Sequence, residues 1–188
     1  FDAVIIATGV NEKFADALAG SYLANRKKAP ILLYTNSGLS QLNVTFIQEN
    51  LKSGGTVYIL GGDSAVPTTV EETLSAYNVV RLSGKTRYET NLEILKEAGI
   101  SGNEILVATG TNFADSLSAS AVGLPLLLVN GQGAGLNTAQ TEFLKSVAGK
   151  KITIMGGDSA VSEEMKAAIE AVTGVTAERI SGKTRHNT

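Results

Sequence analysis

The feature that most constrains this chain is that it repeats itself. Ala7-Thr8-Gly9 recurs as Ala108-Thr109-Gly110, and Phe14-Ala15-Asp16-Ala17-Leu18 as Phe113-Ala114-Asp115-Ser116-Leu117. Pro30-Ile31-Leu32-Leu33 returns as Pro125-Leu126-Leu127-Leu128. Gly61-Gly62-Asp63-Ser64-Ala65-Val66 returns unchanged as Gly156-Gly157-Asp158-Ser159-Ala160-Val161. Arg81-Leu82-Ser83-Gly84-Lys85-Thr86-Arg87 returns as Arg179-Ile180-Ser181-Gly182-Lys183-Thr184-Arg185. The offsets are 101, 99, 95, 95 and 98 residues, so insertions and deletions fall in loops between fixed motifs. A chain of 188 residues built this way holds two similar units of about 95 residues, not one large core. The motifs divide it into a first repeat over 1–86 and a second over 87–188.

Each repeat reads as strands alternating with helices. Ala3–Ala7 is a continuous apolar run, the pattern of a strand buried on both faces. The spacing of Phe14, Leu18 and Tyr22 predicts a helix over 14–28, ending on the basic run Arg26-Lys27-Lys28. Strands follow at 31–34, 56–60 and 79–82, with helices at 41–52, 67–77 and 89–98. Pro30 and Pro125 open strands, where a missing N–H costs least. This alternation predicts an α/β fold. It consists of tandem, small parallel-sheet units of Rossmann- or Toprim-like type, with helices on both faces. The first unit has no fourth-type helix before Phe1, and the second stops where that helix should begin. With no Met at its start, the chain reads as a window from a longer array.

Composition excludes several function classes. With Lys plus Arg at 16 and Asp plus Glu at 18, a broadly basic nucleic-acid binder is not expected. The absence of Cys removes disulfides, thiolate nucleophiles and cysteine metal sites. Aromatics make up 5% with no Trp, too few for a stacking platform. The longest apolar runs are strand-length, so no membrane span is expected.

Motifs that suggest catalysis lack their partners. Ser-Gly-Lys-Thr at 83–86 and 181–184 ends like a phosphate-binding loop, but the required upstream glycine is Val79 or Ala177. Gly131–Gly135 hints at a dinucleotide fingerprint, yet its last position is Leu136. Gly-Asp-Ser at 62–64 and 157–159 has no histidine base, since the single His is His186. Gly61, Gly62, Gly156 and Gly157 read as parts of tight strand-to-helix turns. Two readings stand for Asp16 and Asp115: helix-dipole pairing in a first turn, or an ion pair with an arginine of the basic motif. No metal or cofactor site is expected.

The basic motif is the most informative segment. Arg81, Lys85 and Arg87, with Arg179, Lys183 and Arg185, hold 6 of the 16 basic residues in two short stretches. Guanidinium forks and ammonium groups suit phosphate or carboxylate, so these six are the candidate anion-binding residues. The alternative is a solvated turn closed by internal salt bridges, in which the motif only ties repeats together.

The ordered motifs resemble the cell wall binding repeat 2 family of Gram-positive surface and surface-layer proteins, of the clostridial type. The resemblance rests on Arg81-x-x-Gly84-x-x-Arg87-Tyr88-x-Thr90, Phe113-Ala114-Asp115-Ser116-Leu117, Pro125-Leu126-Leu127-Leu128 and Gly156-Gly157-Asp158-Ser159-Ala160-Val161. It implies a secreted, non-catalytic module, three repeats assembled together, and non-covalent anchoring to an anionic, teichoic-acid-like wall polymer. This chain carries about two repeats, and His186 replaces the motif tyrosine. The resemblance therefore implies a third repeat, or neighbouring copies, as partners. The competing expectation is an enzyme or binding protein for a phosphorylated small molecule at the carboxyl ends of the strands.

Overall fold

The computed structural model describes residues 1–10 and 13–182. The first compact unit runs Phe1–Ala98, and the second begins at Gly99.

In the first unit, β1 (Ala3–Thr8), α1 (Phe14–Lys27), β2 (Ile31–Tyr34), α2 (Gln41–Asn50), β3 (Thr56–Leu60), α3 (Thr69–Thr73), β4 (Asn78–Leu82) and α4 (Arg87–Ala98) alternate along the chain. The strands form one sheet in the order β2-β1-β3-β4, and every pair is parallel. All six residues of β1 are buried, as the continuous apolar run requires of a central strand.

The pleat sends alternate side chains to opposite faces. Val4, Ile6, Val57 and Ile59 meet Ile47 of α2 and Val70 of α3 on one face. Burying each Val, Ile or Leu in that cluster contributes roughly 1.5–3 kcal/mol. Tyr58 points to the other face, where its hydroxyl donates to Glu97 Oε1 of α4 at 2.7 Å. Lys27, the last residue of α1, reaches the same oxygen at 2.8 Å. Helices α1 and α4 therefore lie side by side on this second face. That packing carries the compact unit past residue 86, the motif division, to Ala98.

The second unit repeats the scheme with β5 (Glu104–Thr109), α5 (Phe113–Ser120), β6 (Leu126–Val129), α6 (Thr138–Ser146), β7 (Lys151–Met155), α7 (Glu163–Thr173) and β8 (Glu178–Ile180). Its sheet is parallel throughout, in the matching order β6-β5-β7-β8. Ile105, Val107, Leu126, Leu127, Ile152 and Ile154 are fully buried. Helix α5 packs on β5, β6 and β7, and α6 packs on α7.

Two elements differ from the sequence expectation. The helix expected over 67–77 is only Thr69–Thr73. Its last turn tightens, because the Leu74 N–H is shared between the Val70 and Glu71 carbonyls at 3.2 and 3.1 Å. Helix α4 begins at Arg87 and not at Glu89, for a capping reason given below. Among the described residues, no helix is long and apolar enough to cross a membrane.

Candidate functional site

The strand order places a crevice at the carboxyl ends of the first sheet. From central β1 the chain leaves to β2 on one side, while β3 lies on the other. The loops after β1 and β3 therefore diverge, the arrangement at which open α/β sheets form ligand clefts. A cleft of about 220 Å³ lies there. Lys13 and Asp16 line it from the start of α1, Ser64 from the turn after β3, and Lys85, Thr86 and Arg87 from the segment after β4.

Asp16 is half-buried in the first turn of α1 and faces the glycine turn that follows β3. Gly61 has φ +95°, and a Cβ there would collide with Asp16 Oδ2 and lie 2.8 Å from the Ala65 Cβ. Burial pushes the Asp16 carboxyl up to about 6, partly opposed by the Arg87 guanidinium. The second unit repeats the steric relationship. Gly156 has φ +105°, and its Cβ would collide with Asp115 Oδ2 and lie 2.9 Å from the Ala160 Cβ. Gly62 and Gly157 carry no such constraint: a Cβ at 62 meets open space, and one at 157 meets only the Ser181 Cβ at 4.0 Å.

The basic motif divides into inward and outward residues. Arg81, in β4, turns toward the glycine turn. Its Nη1 donates to the Gly61 and Val66 carbonyls at 2.8 and 2.9 Å, and its Nε pairs with Glu71. Arg179 does the same in β8, with Nη1 on the Gly156 carbonyl at 2.9 Å and Nη2 on Glu163 at 2.8 Å. Their side chains are only 17% and 15% exposed. The arginine–aspartate pairing considered for Asp16 and Asp115 is therefore corrected for these two arginines. Their carboxylate partners are Glu71 of α3 and, for Arg179, Glu163 of α7 with Asp158 at 3.4 Å, because strand register aims them at the glycine turn and the helix that follows it, and not at α1 or α5.

Lys85 and Arg87 are exposed on the cleft wall. The Arg87 guanidinium lies over the Phe14 ring, 5.9 Å from its centroid. The segment between them is a helix start. Glu89 Oε2 accepts from the Lys85 and Thr86 N–H groups at 2.7 and 3.2 Å, and the Glu89 N–H donates to Thr86 Oγ1 at 3.3 Å. This reciprocal capping box fixes the first turn of α4 and draws Arg87 into it. A Cβ at Gly84 would collide with Glu89, so the loop hugs the cap. Lys183 and Arg185, with His186, lie outside the described residues.

Pro30 and Pro125 stand where strands begin. Their carbonyls accept from the Ile5 and Leu106 N–H groups at 2.9 and 2.8 Å, starting the pairing of β2 and β6 with the central strands. The glycine loop at 131–135 is tied to the turn after β7. Ser162 N–H donates to the Gly131 carbonyl at 2.8 Å, and Gln132 Nε2 to the Asp158 carbonyl at 2.7 Å. Among the described residues, its neighbouring cleft is lined by no lysine or arginine. Sequence reasoning missed Lys13, whose ammonium reaches the Ser64 carbonyl at 2.5 Å across the mouth of the first cleft. The only advance signal was that the loop after β1 is longer in the first repeat.

This internal geometry recurs on motifs shared with a known group of proteins. The sequence matches cell wall binding domain 2 (CWB2) over residues 1–71 and 81–166. The chain belongs to the CWB2 family. Two solved structures share the fold closely. Cwp8 from Clostridium difficile superposes with a TM-score of 0.85 at 32% identity, covering 98% of this chain and 31% of that one. Cwp6 from the same organism gives 0.84 at 27% identity, covering 98% and 30%.

Two Bacillus subtilis (strain 168) proteins match as well. N-acetylmuramoyl-L-alanine amidase LytC is 29% identical over 191 residues, 98% of this chain and 36% of LytC. The amidase enhancer is 30% identical over 178 residues, 92% of this chain and 23% of that protein. The CWB2 chain thus spans about a third of LytC and about a quarter of the amidase enhancer. Among the described residues, no group of three or more His, Asp or Glu side chains could hold a metal ion. Ser64 and Ser159 are exposed turn residues with no described histidine beside them.

Proposed function

We propose that this CWB2 chain is a non-catalytic anchoring module that holds a secreted surface protein to the cell wall through reversible contacts with an anionic, teichoic-acid-like polymer. The observation that carries this reading is the division of labour in the basic motif. Arg81 and Arg179 are taken up by the fold, while Lys85 and Arg87 stay exposed beside a cleft at the carboxyl ends of the strands. In this reading Lys85 and Arg87 contact the polymer, and Lys183 and Arg185 do so in the second repeat. The functional repeats are 1–86 and 87–188, and a third repeat or neighbouring copies extend the array. Several weak cationic sites along a repeating polyanion give avidity without strong single-site affinity. The amidase activity of LytC then belongs to sequence outside the shared portion.

The test is sedimentation of the chain with purified walls, intact or stripped of their anionic polymer. Binding to intact walls and its loss on stripping are expected; equal binding to both would contradict the reading. A second reading, turnover of a phosphorylated small molecule in the same cleft, draws on the position of the cleft at the strand reversal. Phosphoester hydrolysis by the chain, abolished by Ser64→Ala, would favour it.

A further inference from the structure

The loop after β1 differs between the repeats. Four residues separate Gly9 from Phe14, but two separate Gly110 from Phe113. The longer loop ends on Lys13, which stands at the N-cap of α1 and makes no side-chain cap bond. Its counterpart Asn112 accepts from the Ala114 N–H at 3.2 Å and caps α5. Lysine is a poor residue for this position. It offers no acceptor, and its charge faces the positive end of the helix dipole. Its ammonium instead reaches the Ser64 carbonyl, within a cleft also lined by Lys85 and Arg87. Three cations thus converge from three separate segments: the loop after β1, the loop after β4 and the first turn of α4. A residue that breaks a local folding rule while completing a charge cluster marks function.

We propose that Lys13 sets the oxyanion affinity of the first-repeat cleft, so that the two repeats are not equivalent. The first repeat takes a phosphate-type group, and the second, with Asn112 in place of Lys13, holds it more weakly. This rests on the reading of the basic motif as a polymer contact and adds a specificity-determining residue to it.

Inorganic phosphate titrated into the whole chain tests this, with backbone amide resonances as the readout. Gly62, Ser64 and Lys85 report the first cleft; Gly157 and Ser159 report the matching glycine turn of the second repeat. The first set should saturate at lower phosphate than the second. Lys13→Asn should weaken the first cleft roughly fivefold, the factor that one partly screened charge contact carries. Its Tm should hold or rise, because asparagine can cap α1. Lys13→Arg should keep the affinity within about twofold, since the charge is retained. A Lys13→Asn chain whose phosphate and wall affinities match the parent would overturn the proposal and leave wall binding standing. Absence of any phosphate response at Gly62, Ser64 and Lys85 would overturn it too. Failure of the parent chain to sediment with walls would strike the anchoring reading itself.

Discussion

The Asp16 carboxylate lies against Gly61, on the space that any side chain at position 61 would occupy. Asp115 and Gly156 stand in the same relation in the second unit. Two motifs far apart in sequence, Phe-Ala-Asp and Gly-Gly-Asp-Ser-Ala-Val, are therefore halves of one contact. The aspartate's place at the turn excludes any side chain on the glycine, which gives a physical reason for the two motifs appearing together twice.

That contact predicts a sharp contrast between adjacent glycines. Gly61→Ala faces both a positive φ and a collision with Asp16, so it should cost on the order of 2–4 kcal/mol. Gly62→Ala meets open space and should stay within about 1 kcal/mol of the parent. Denaturant unfolding of the two variants checks this, and equal costs would contradict it.

Asp16 also predicts a pH dependence. Its folded-state carboxyl is raised from 3.8 to about 6, chiefly by burial. A raised acid binds its proton more tightly in the folded state, so its contribution to stability is lost as pH rises through about 4 to 6. Glu97 runs the opposite way: its hydrogen bonds to Lys27 and Tyr58 hold it below its ordinary 4.5, so its contribution is lost as pH falls below that value. Comparing Asp16→Asn with the parent isolates Asp16. The variant should gain stability relative to the parent as pH rises from about 4 to 6 and hold that gain above it. A stability difference flat across this window would count against the burial assignment.

The inward arginine and the outward lysine should separate in the same unfolding assay. Arg81→Met removes two backbone contacts and an ion pair from a largely buried group, a loss of about 2–4 kcal/mol. Lys85→Ala removes an exposed side chain and should change stability by no more than about 0.5 kcal/mol. Similar losses from both would mean that the whole motif is structural.

Much of the fold was legible because its signals are local. The apolar run at Ala3–Ala7 and the five recurring motifs anticipate β1 and its copy β5, and the parallel order β2-β1-β3-β4 agrees with the strand–helix alternation. What stayed hidden depends on direction in space. Arg81 and Lys85 sit four positions apart in one basic stretch, yet strand register turns the first inward and the loop turns the second outward. The start of α4 carried a readable Thr86–Glu89 capping signal that the basic charges around it masked. Lys13 belongs to no recurring motif, so only its position across the cleft from Lys85 and Arg87 makes it a candidate.

In the anchoring proposed above, exposed cations of the repeats hold the wall polymer while the half-buried Arg81 and Arg179 hold the fold. It is tested most directly by the affinity of the parent chain and Lys85→Glu for purified wall polymer, measured from about 0.05 to about 0.5 M salt, a range over which screening shortens severalfold. Parent affinity should fall steeply with salt, and Lys85→Glu should bind more weakly at low salt with an unchanged unfolding transition. Binding that ignores both the salt and the substitution would contradict it.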